Sequence, residues 1–453
     1  MRITDLNPHG GIGANSLFVE LGPFKVLVDA GMSPKHEGNE AIPRLDLIDR
    51  EPLDLILLTH CHLDHLGAMP VALRNHPNVP LVMTPASRVI AQRMLHNSHN
   101  VMVRQREENG VRDYPLYRRQ EIEQMTGRIF PLAPDNPRFF SSLDGDTMTL
   151  TYHHAGHIPG AAGFTLEYHH RKIFFTGDVL FDDMQTLPGA TFPREQVDTL
   201  VLETTRGASG RPPGYSRDKE VGQLVQAIRE TLEGGGSVLL PTFALGRMQE
   251  VFSIIHRSMG QRQLPRVPVF ASGLGVDLCD YFDQIARKTK AVDFRRQILK
   301  DLKVQRLPHG YKPGQRLPGP AIYVLSSGMM VEHTPSYIAA VNLLGDARNL
   351  VAFVGYCDPD TPGGLLQQAA EGEYFLFEVL DKRAMLAARR MRFDLSGHAD
   401  RDELLAFALD LEPRAVVLTH GDPEARDWFA DQLRTARPKM QILDPTPLEP
   451  VEV

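Results

Sequence analysis

The stretch Leu55-Ile56-Leu57-Leu58-Thr59-His60-Cys61-His62-Leu63-Asp64-His65-Leu66-Gly67 decides how this chain is read. Four large aliphatic residues and a β-branched threonine make a short buried strand, expected over 54–59. Three histidines and an aspartate follow at once. Alternate residues of an extended segment project to one side, so His60 and His62 can share one ion. Asp64 and His65, after the chain turns, can serve a neighbouring one. Imidazole combined with carboxylate suits Zn²⁺, with Mn²⁺ or Fe²⁺ as alternatives. A strand end is where loops gather such ligands while the sheet stays rigid. Cys61 lies between the ligands and points away from them.

Working outward, the first 200 residues alternate short strands with turns. A hairpin is expected from strands over 17–20 and 24–29, joined across Leu21-Gly22-Pro23. Further strands are expected over 148–154, 163–168 and 172–176, with helices over 85–97 and 118–124. After Glu203 the pattern becomes strand and helix in alternation, as in a parallel α/β domain. A helix over 218–233 starts at an N-cap Ser216 and stops at Gly234-Gly235-Gly236. Helices over 247–257 and 276–286 follow, with strands over 237–243, 267–271, 321–325 and 350–354. Near the end, Asp400 and Glu403 form a capping box, then come a strand over 415–419 and a helix over 423–435. The pattern places domain boundaries near 204 and 384, giving segments 1–203, 204–384 and 385–453.

The length of 453 residues suits two domains, or one domain with a large insertion. Hydrophobic residues at 42% and charged residues at 23% are those of a globular protein, not a disordered or membrane-spanning one. The cysteines Cys61, Cys279 and Cys357 are few, odd in number and far apart, which excludes a disulfide framework. The N-terminal residues have no apolar signal region, and no stretch is long enough to cross a bilayer. A soluble, cytoplasmic protein with no membrane partner is expected. Net charge is −7, yet between Arg287 and Arg316 there are ten Lys/Arg against Asp293 and Asp301 alone. A second basic cluster comprises Lys382, Arg383, Arg389, Arg390 and Arg392. Together the two point to contact with nucleic-acid phosphate.

The motif His60-x-His62-x-Asp64-His65, with Leu66-Gly67-Ala68-Met69-Pro70 after it, resembles the main motif of the metallo-β-lactamase superfamily. Asp29 in Val28-Asp29-Ala30-Gly31 matches the early aspartate that orients the motif loop. His157 in Gly156-His157-Ile158-Pro159-Gly160 matches the third histidine ligand, and Asp178 in Thr176-Gly177-Asp178 the bridging carboxylate. The next ligand candidate, His420 in Leu418-Thr419-His420-Gly421, comes only 242 positions later. The chain between looks like the inserted β-CASP domain of nucleic-acid-processing members. Glu203 matches its motif A, His398 its motif B and His420 its motif C. Pro241-Thr242-Phe243, Ser326-Ser327-Gly328 and Gly355-Tyr356 also resemble stretches of that group, which includes the cleavage-and-polyadenylation endonuclease and, more distantly, ribonuclease J. Two departures stand out. Arg206-Gly207 replaces a frequent Tyr-Gly, and the pattern after Gly355-Tyr356 is loose.

The resemblance implies an αββα sandwich interrupted by a β-CASP α/β domain. It implies two Zn²⁺ ions, one held by His60, His62 and His157, the other by Asp64, His65 and His420, with Asp178 touching both. It further implies a ribonuclease in which a shared hydroxide attacks the phosphate in line. Histidine at motif C goes with RNA in this group, so single-stranded RNA is the expected partner. His398, oriented by Glu203, is the expected proton donor to the leaving oxygen, and Asp64 serves the same centre. Ser327, Gly328 and Ser396 are candidate phosphate contacts. A DNA nuclease of the same fold and a small-molecule metallo-hydrolase are the competing expectations. Endo- or 5′-exonuclease action and a homodimeric state are left open. With motif C 33 residues from the end, no long C-terminal extension is expected.

Overall fold

The apolar run before His60 forms the strand Leu55–Leu57, wholly buried, in the computed structural model of the chain, which describes every residue except 143–144, 308–310 and 313. That strand lies in a seven-stranded sheet. Its order is Pro450–Glu452, Arg2–Asp5, Leu17–Leu21, Phe24–Val28, Leu55–Leu57, Leu81–Met83 and Ile129–Pro131. A second seven-stranded sheet runs Gln441–Leu443, Ala415–Thr419, Thr199–Glu203, Arg171–Phe175, Ala162–Tyr168, Thr147–His154 and Arg138–Ser141. Both belong to one compact unit of Met1–Asp183, Gly189–Arg211 and His398–Val453.

Period-two alternation explains how the sheets join. Val19, Val26, Leu55 and Leu57 of the first sheet share a core with Leu150, Phe164, Leu166, Val201 and Val417 of the second. Tyr152 crosses between them. Its ring is buried, and its hydroxyl donates to the carbonyls of Leu58 at 3.2 Å and Val82 at 3.0 Å, so its polar atom is satisfied in the apolar layer. Each large side chain buried there contributes about 1.5–3 kcal/mol. On the outer side of the second sheet, Phe174 meets Phe407 of the helix Arg401–Asp410, ring centres 6.0 Å apart.

The second unit, Met184–Pro188 with Pro212–Gly397, has a six-stranded sheet. Its order is Gln305–Arg306, Val269–Ala271, Ile322–Leu325, Val238–Pro241, Leu350–Phe353 and Arg389–Arg392, every neighbouring pair parallel. The central strands are buried on both faces, which is why they read as unbroken apolar runs.

This unit runs past the boundary expected at 384. Arg389–Arg392 pairs with Leu350–Phe353 as an edge strand, and its charge hid it from a search for apolar strands. At the other side the unit resumes at Pro212, not 204. The helix expected over 85–97 continues as Pro85–Asn109. Its stop is Gly110, left-handed at φ 74°, whose N–H caps the carbonyl of Arg106.

Candidate metal centre

The candidate ligands stand at the carboxyl ends of parallel strands. His60 follows Leu55–Leu57, Asp178 follows Arg171–Phe175, Glu203 closes Thr199–Glu203, and His420 follows Ala415–Thr419. Thr199–Glu203 lies parallel between the strands that lead to Asp178 and His420, with Glu203 opposite Thr419. Chain direction alone therefore brings together residues more than 200 positions apart. Past His62 the chain turns into the short helix Leu63–Leu66, which swings Asp64 and His65 away from His60 and His62.

Two sets of donor atoms converge. In the first, His62 Nδ1 is 3.1 Å from His60 Nε2 and 3.0 Å from His157 Nε2. Oδ2 of Asp178 lies 3.5 Å from His60 Nε2 and 3.7 Å from His157 Nε2. In the second, His65 Nε2 is 3.3 Å from His420 Nε2 and 3.6 Å from Asp64 Oδ2, and the latter two are 3.4 Å apart. Oδ1 of Asp178 is 3.5 Å from His65 Nε2. The two oxygens of Asp178 thus face one set each.

These spacings are those of a metal site. Four ligands tetrahedrally placed at zinc–nitrogen distances stand about 3.3 Å from one another. Oδ1 of Asp178 is buried, has no well-directed hydrogen bond among the described residues, and faces only ring nitrogens, His420 Nδ1 at 3.2 Å and His65 Nε2 at 3.5 Å, a position that a cation would satisfy. Electrostatics agree. Burial, and then the neighbouring imidazoles, push the pKa of His60 well down, keeping it the neutral ring a metal requires. Burial also works against charge on His65, yet Asp178, Asp64 and Asp29 push its pKa up to about 10. The carboxylates of this pocket call for positive charge, and a divalent cation supplies it.

A further layer fixes the ligands. Asp29 accepts from the Thr59 amide at 2.8 Å and the Thr59 hydroxyl at 2.7 Å, and its Oδ2 lies 2.7 Å from His65 Nδ1. With Nδ1 so held, Nε2 of His65 is free to bind metal. The Thr205 hydroxyl lies 2.9 Å from His420 Nδ1, which also faces Oδ1 of Asp178 at 3.2 Å. Asn15 donates to the Asp64 carbonyl at 3.0 Å and sits 3.3 Å from His65 Nε2. Sequence reading passed over Asn15 and Thr205. The signals were the glycine-rich run Gly10-Gly11-Ile12-Gly13 ahead of Asn15, and the place of Thr205 two residues after Glu203.

His398 borders the first set. Its Nδ1 is 3.1 Å from Oε1 of Glu203, and its Nε2 is 4.0 Å from Oδ2 of Asp178. Glu203 is fixed by the amides of Val179 at 2.9 Å and Thr205 at 3.2 Å. Burial opposes ionisation of Glu203, but the charge and hydrogen bond of His398 hold its carboxyl down at about 2. Burial likewise opposes a charged His398, and Glu203 overcomes it and raises the imidazole above its ordinary value.

Other residues have plainer roles. Cys61 is buried, gives its thiol to the carbonyl of Ser87 at 3.3 Å, and burial pushes its pKa up to about 12. His153 pairs with Asp135 at 3.0 Å. Ser327, Gly328 and Ser396 belong to the second unit. The Ser327 hydroxyl accepts from the Val331 amide at 2.9 Å, and the Ser396 carbonyl accepts from Arg217 at 2.9 Å. A side chain on Gly328 would begin 3.0 Å from the ring of Phe243.

Residues 9–216 match the metallo-beta-lactamase superfamily, residues 248–366 the Beta-Casp domain, and residues 383–442 a Zn-dependent metallo-hydrolase RNA specificity domain. The chain belongs to the β-CASP group of the metallo-β-lactamase superfamily. Its metal-binding cluster is that of a divalent metallo-hydrolase. It is 28% identical over 439 residues to endoribonuclease YSH1 of Eremothecium gossypii, covering 93% of this chain and 55% of that one. A ribonuclease of Thermus thermophilus is 28% identical, with 94% of each chain covered. Transcription termination factor FttA of Pyrococcus abyssi is 29% identical, covering 94% of this chain and 67% of that one. The chain therefore spans about half the length of the Eremothecium relative but nearly all of the Thermus one. A solved protein of unknown function from Enterococcus faecalis V583 has the same fold, at TM-score 0.57 and 12% identity, with 100% and 99% of the two chains covered. Among the described residues no helix is long and apolar enough to cross a membrane.

Proposed function

We propose that this chain is a zinc-dependent ribonuclease that hydrolyses the phosphodiester bonds of single-stranded RNA. The observation that carries the reading is Asp178, whose two oxygens face two separate donor sets beside an imidazole held by Glu203. The first zinc ion falls to His60, His62 and His157, the second to Asp64, His65 and His420, with Asp178 between them. When bound, such a pair lowers the pKa of water towards neutrality and offsets the charge of a phosphate.

The protein's own groups do the rest. Nε2 of His398 faces the centre and holds the proton that the leaving ribose oxygen takes as the phosphorus–oxygen bond breaks. Glu203 keeps that imidazole charged and directs Nε2 inward. Asp29 keeps the outer nitrogen of His65 engaged, so its ligand nitrogen stays aimed, and Thr205 steadies the ring of His420. For RNA over DNA, the support is His420 at motif C, the match of 383–442 to an RNA specificity domain, and the ribonuclease names of the relatives. Three free cysteines, one of them half-buried, fit a reducing cytoplasm.

The test is cleavage of matched single-stranded RNA and DNA, each labelled at the 5′ end or internally, by the zinc-loaded protein. RNA is expected to be cut at least tenfold faster. Equal rates on both overturn the RNA assignment, and the label released reports endo- or exonucleolytic action.

A further inference from the structure

The basic stretch 287–316 divides into cations that have a carboxylate and cations that do not. The helix Leu274–Thr289 carries Asp277, Asp280 and Asp283 at three-residue spacing, a single stripe. Each takes one arginine. Arg306 lies 2.5 Å from Asp277, Arg296 2.8 Å from Asp280, and Arg287 2.7 Å from Asp283. Arg295 and Lys300 have no carboxylate within ion-pair distance among the described residues, while 308–310 and 313 lie outside that description. The second cluster is different. Arg389 bonds Thr231 at 2.8 Å and pairs with Glu230, and Arg390 bonds the carbonyl of Leu366 at 3.1 Å. Those two arginines tie an edge strand to its own unit.

Arg295 and Lys300 line one open cleft of about 660 Å³ in the second unit, together with Arg287, Arg296, Asp280 and Asp283. Four cations face two carboxylates there, leaving two positive charges. All the lining side chains are charged except one amide, Gln297. Arg287 bonds its aspartate through Nη2 and Arg296 through Nε, which orients each guanidinium and leaves other N–H groups for a further acceptor. Oriented guanidinium groups beside free cations match the oxygens of successive phosphates.

We propose that this cleft grips the phosphodiester backbone of single-stranded RNA, with Arg295 and Lys300 as the principal phosphate contacts. The assignment rests on the ribonuclease reading. Asp280 then acts as a brake, because it neutralises Arg296 inside the cleft.

The experiment uses the zinc-loaded full chain and a single-stranded RNA, reading KM, kcat and the salt dependence of kcat/KM. Arg295→Ala with Lys300→Ala should raise KM roughly tenfold with kcat within about twofold. Loss of two phosphate contacts should make the salt slope shallower by about 1.4. Asp280→Asn should lower KM by about threefold. Arg434→Ala with Lys439→Ala removes the same charge from the other unit and should change KM less than twofold. A cleft pair no worse than that control overturns the assignment and leaves the cleft to an acidic protein segment, as does a higher KM for Asp280→Asn. If the unaltered protein cuts no RNA, the ribonuclease reading falls and the assignment falls with it. RNA cleavage with an unaffected cleft pair sinks the assignment alone.

Discussion

His398 directs Nδ1 to Glu203, 3.1 Å from Oε1 and 3.3 Å from Oε2, while its other nitrogen lies 4.0 Å from Oδ2 of Asp178. The ring lies against both His157 and His420, centres 4.6 and 6.0 Å away. Its side chain keeps 18% exposure where Glu203 keeps 1%. A buried carboxylate behind a more accessible imidazole supports the proton-donor role proposed for His398.

A ligand and a proton donor respond differently to removal. His398→Ala should keep both zinc ions and RNA binding while the single-turnover rate falls by roughly 10²–10⁴-fold. Glu203→Gln should give a smaller loss, because the ring keeps a hydrogen-bond partner but loses the charge that favours its protonated form. Metal content decides between roles. If His398→Ala loses zinc in step with activity, the residue is a ligand and the proton-donor role is wrong.

Two donor sets sharing Asp178 should hold two metal equivalents per chain in protein purified without chelator. His420→Ala takes one ligand from the second set only, so about one equivalent should remain firmly bound at His60, His62 and His157. Chelation should lower thermal stability, since it removes the divalent charge that Asp178 and the half-buried Asp64 face and leaves the raised-pKa His65 to offset both. An ion held at 1,000 times its dissociation constant contributes about 4 kcal/mol. A stoichiometry fixed at one after zinc is restored excludes the paired arrangement.

The centre was legible in sequence where ligands follow a strand directly, as His60, His62 and Asp64 do. The strand Ala415–Thr419 was legible for the same reason, being an unbroken apolar run. What could not be read is whatever depends on pairing across the chain. Asn15 reaches Asp64 only because the segment after Val28 and the turn at Leu63–Leu66 are folded together, with Gly31 bonded to Asn15 and Met32 to Leu63. Arg389–Arg392 has no apolar alternation and becomes a strand through its neighbour. Charge counting missed the partners of Arg287, Arg296 and Arg306, because Asp283, Asp280 and Asp277 precede the counted stretch.

Asp29 offers a clean separation of orientation from binding. It touches His65 and Thr59 and adopts a left-handed backbone at φ 60°, which asparagine tolerates well. Asp29→Asn should therefore fold and keep an acceptor near His65 Nδ1, while it loses the negative charge and turns its NH2 towards the Thr59 amide that Oδ1 accepts from. Zinc affinity is expected to fall by about 10–100-fold, the usual effect of losing such a supporting carboxylate. Competition with a chelating dye measures it. Unchanged affinity would mean that Thr59 and burial alone hold the imidazole.

Gly31 tests whether the approach of two backbone segments sets the second donor set. A Cβ placed there would lie 1.7 Å from the Asp64 carbonyl oxygen and 2.7 Å from the Asn15 amide nitrogen. No side-chain rotation relieves that overlap, because both neighbours are backbone. Gly31 also accepts constraint from Asn15, whose carbonyl takes its N–H at 3.0 Å, so the segment cannot simply slide away. Gly31→Ala must then push the Leu63–Leu66 turn outward and carry Asp64 and His65 with it. Overpacking commonly costs about 1–3 kcal/mol, and a clash of backbone with Cβ belongs at or above the upper end. The expected result is a lower melting temperature together with loss of the second metal equivalent, while His60, His62 and His157 still hold the first. Gly145→Ala is the comparison, at a glycine with no described residue's atom within 4 Å of its Cβ position but a left-handed φ of 88°. That variant should show a modest loss of stability from backbone strain and full metal content. If Gly31→Ala instead retained both equivalents and melted like Gly145→Ala, the contact between residue 31 and Asp64 would not be what fixes the second set.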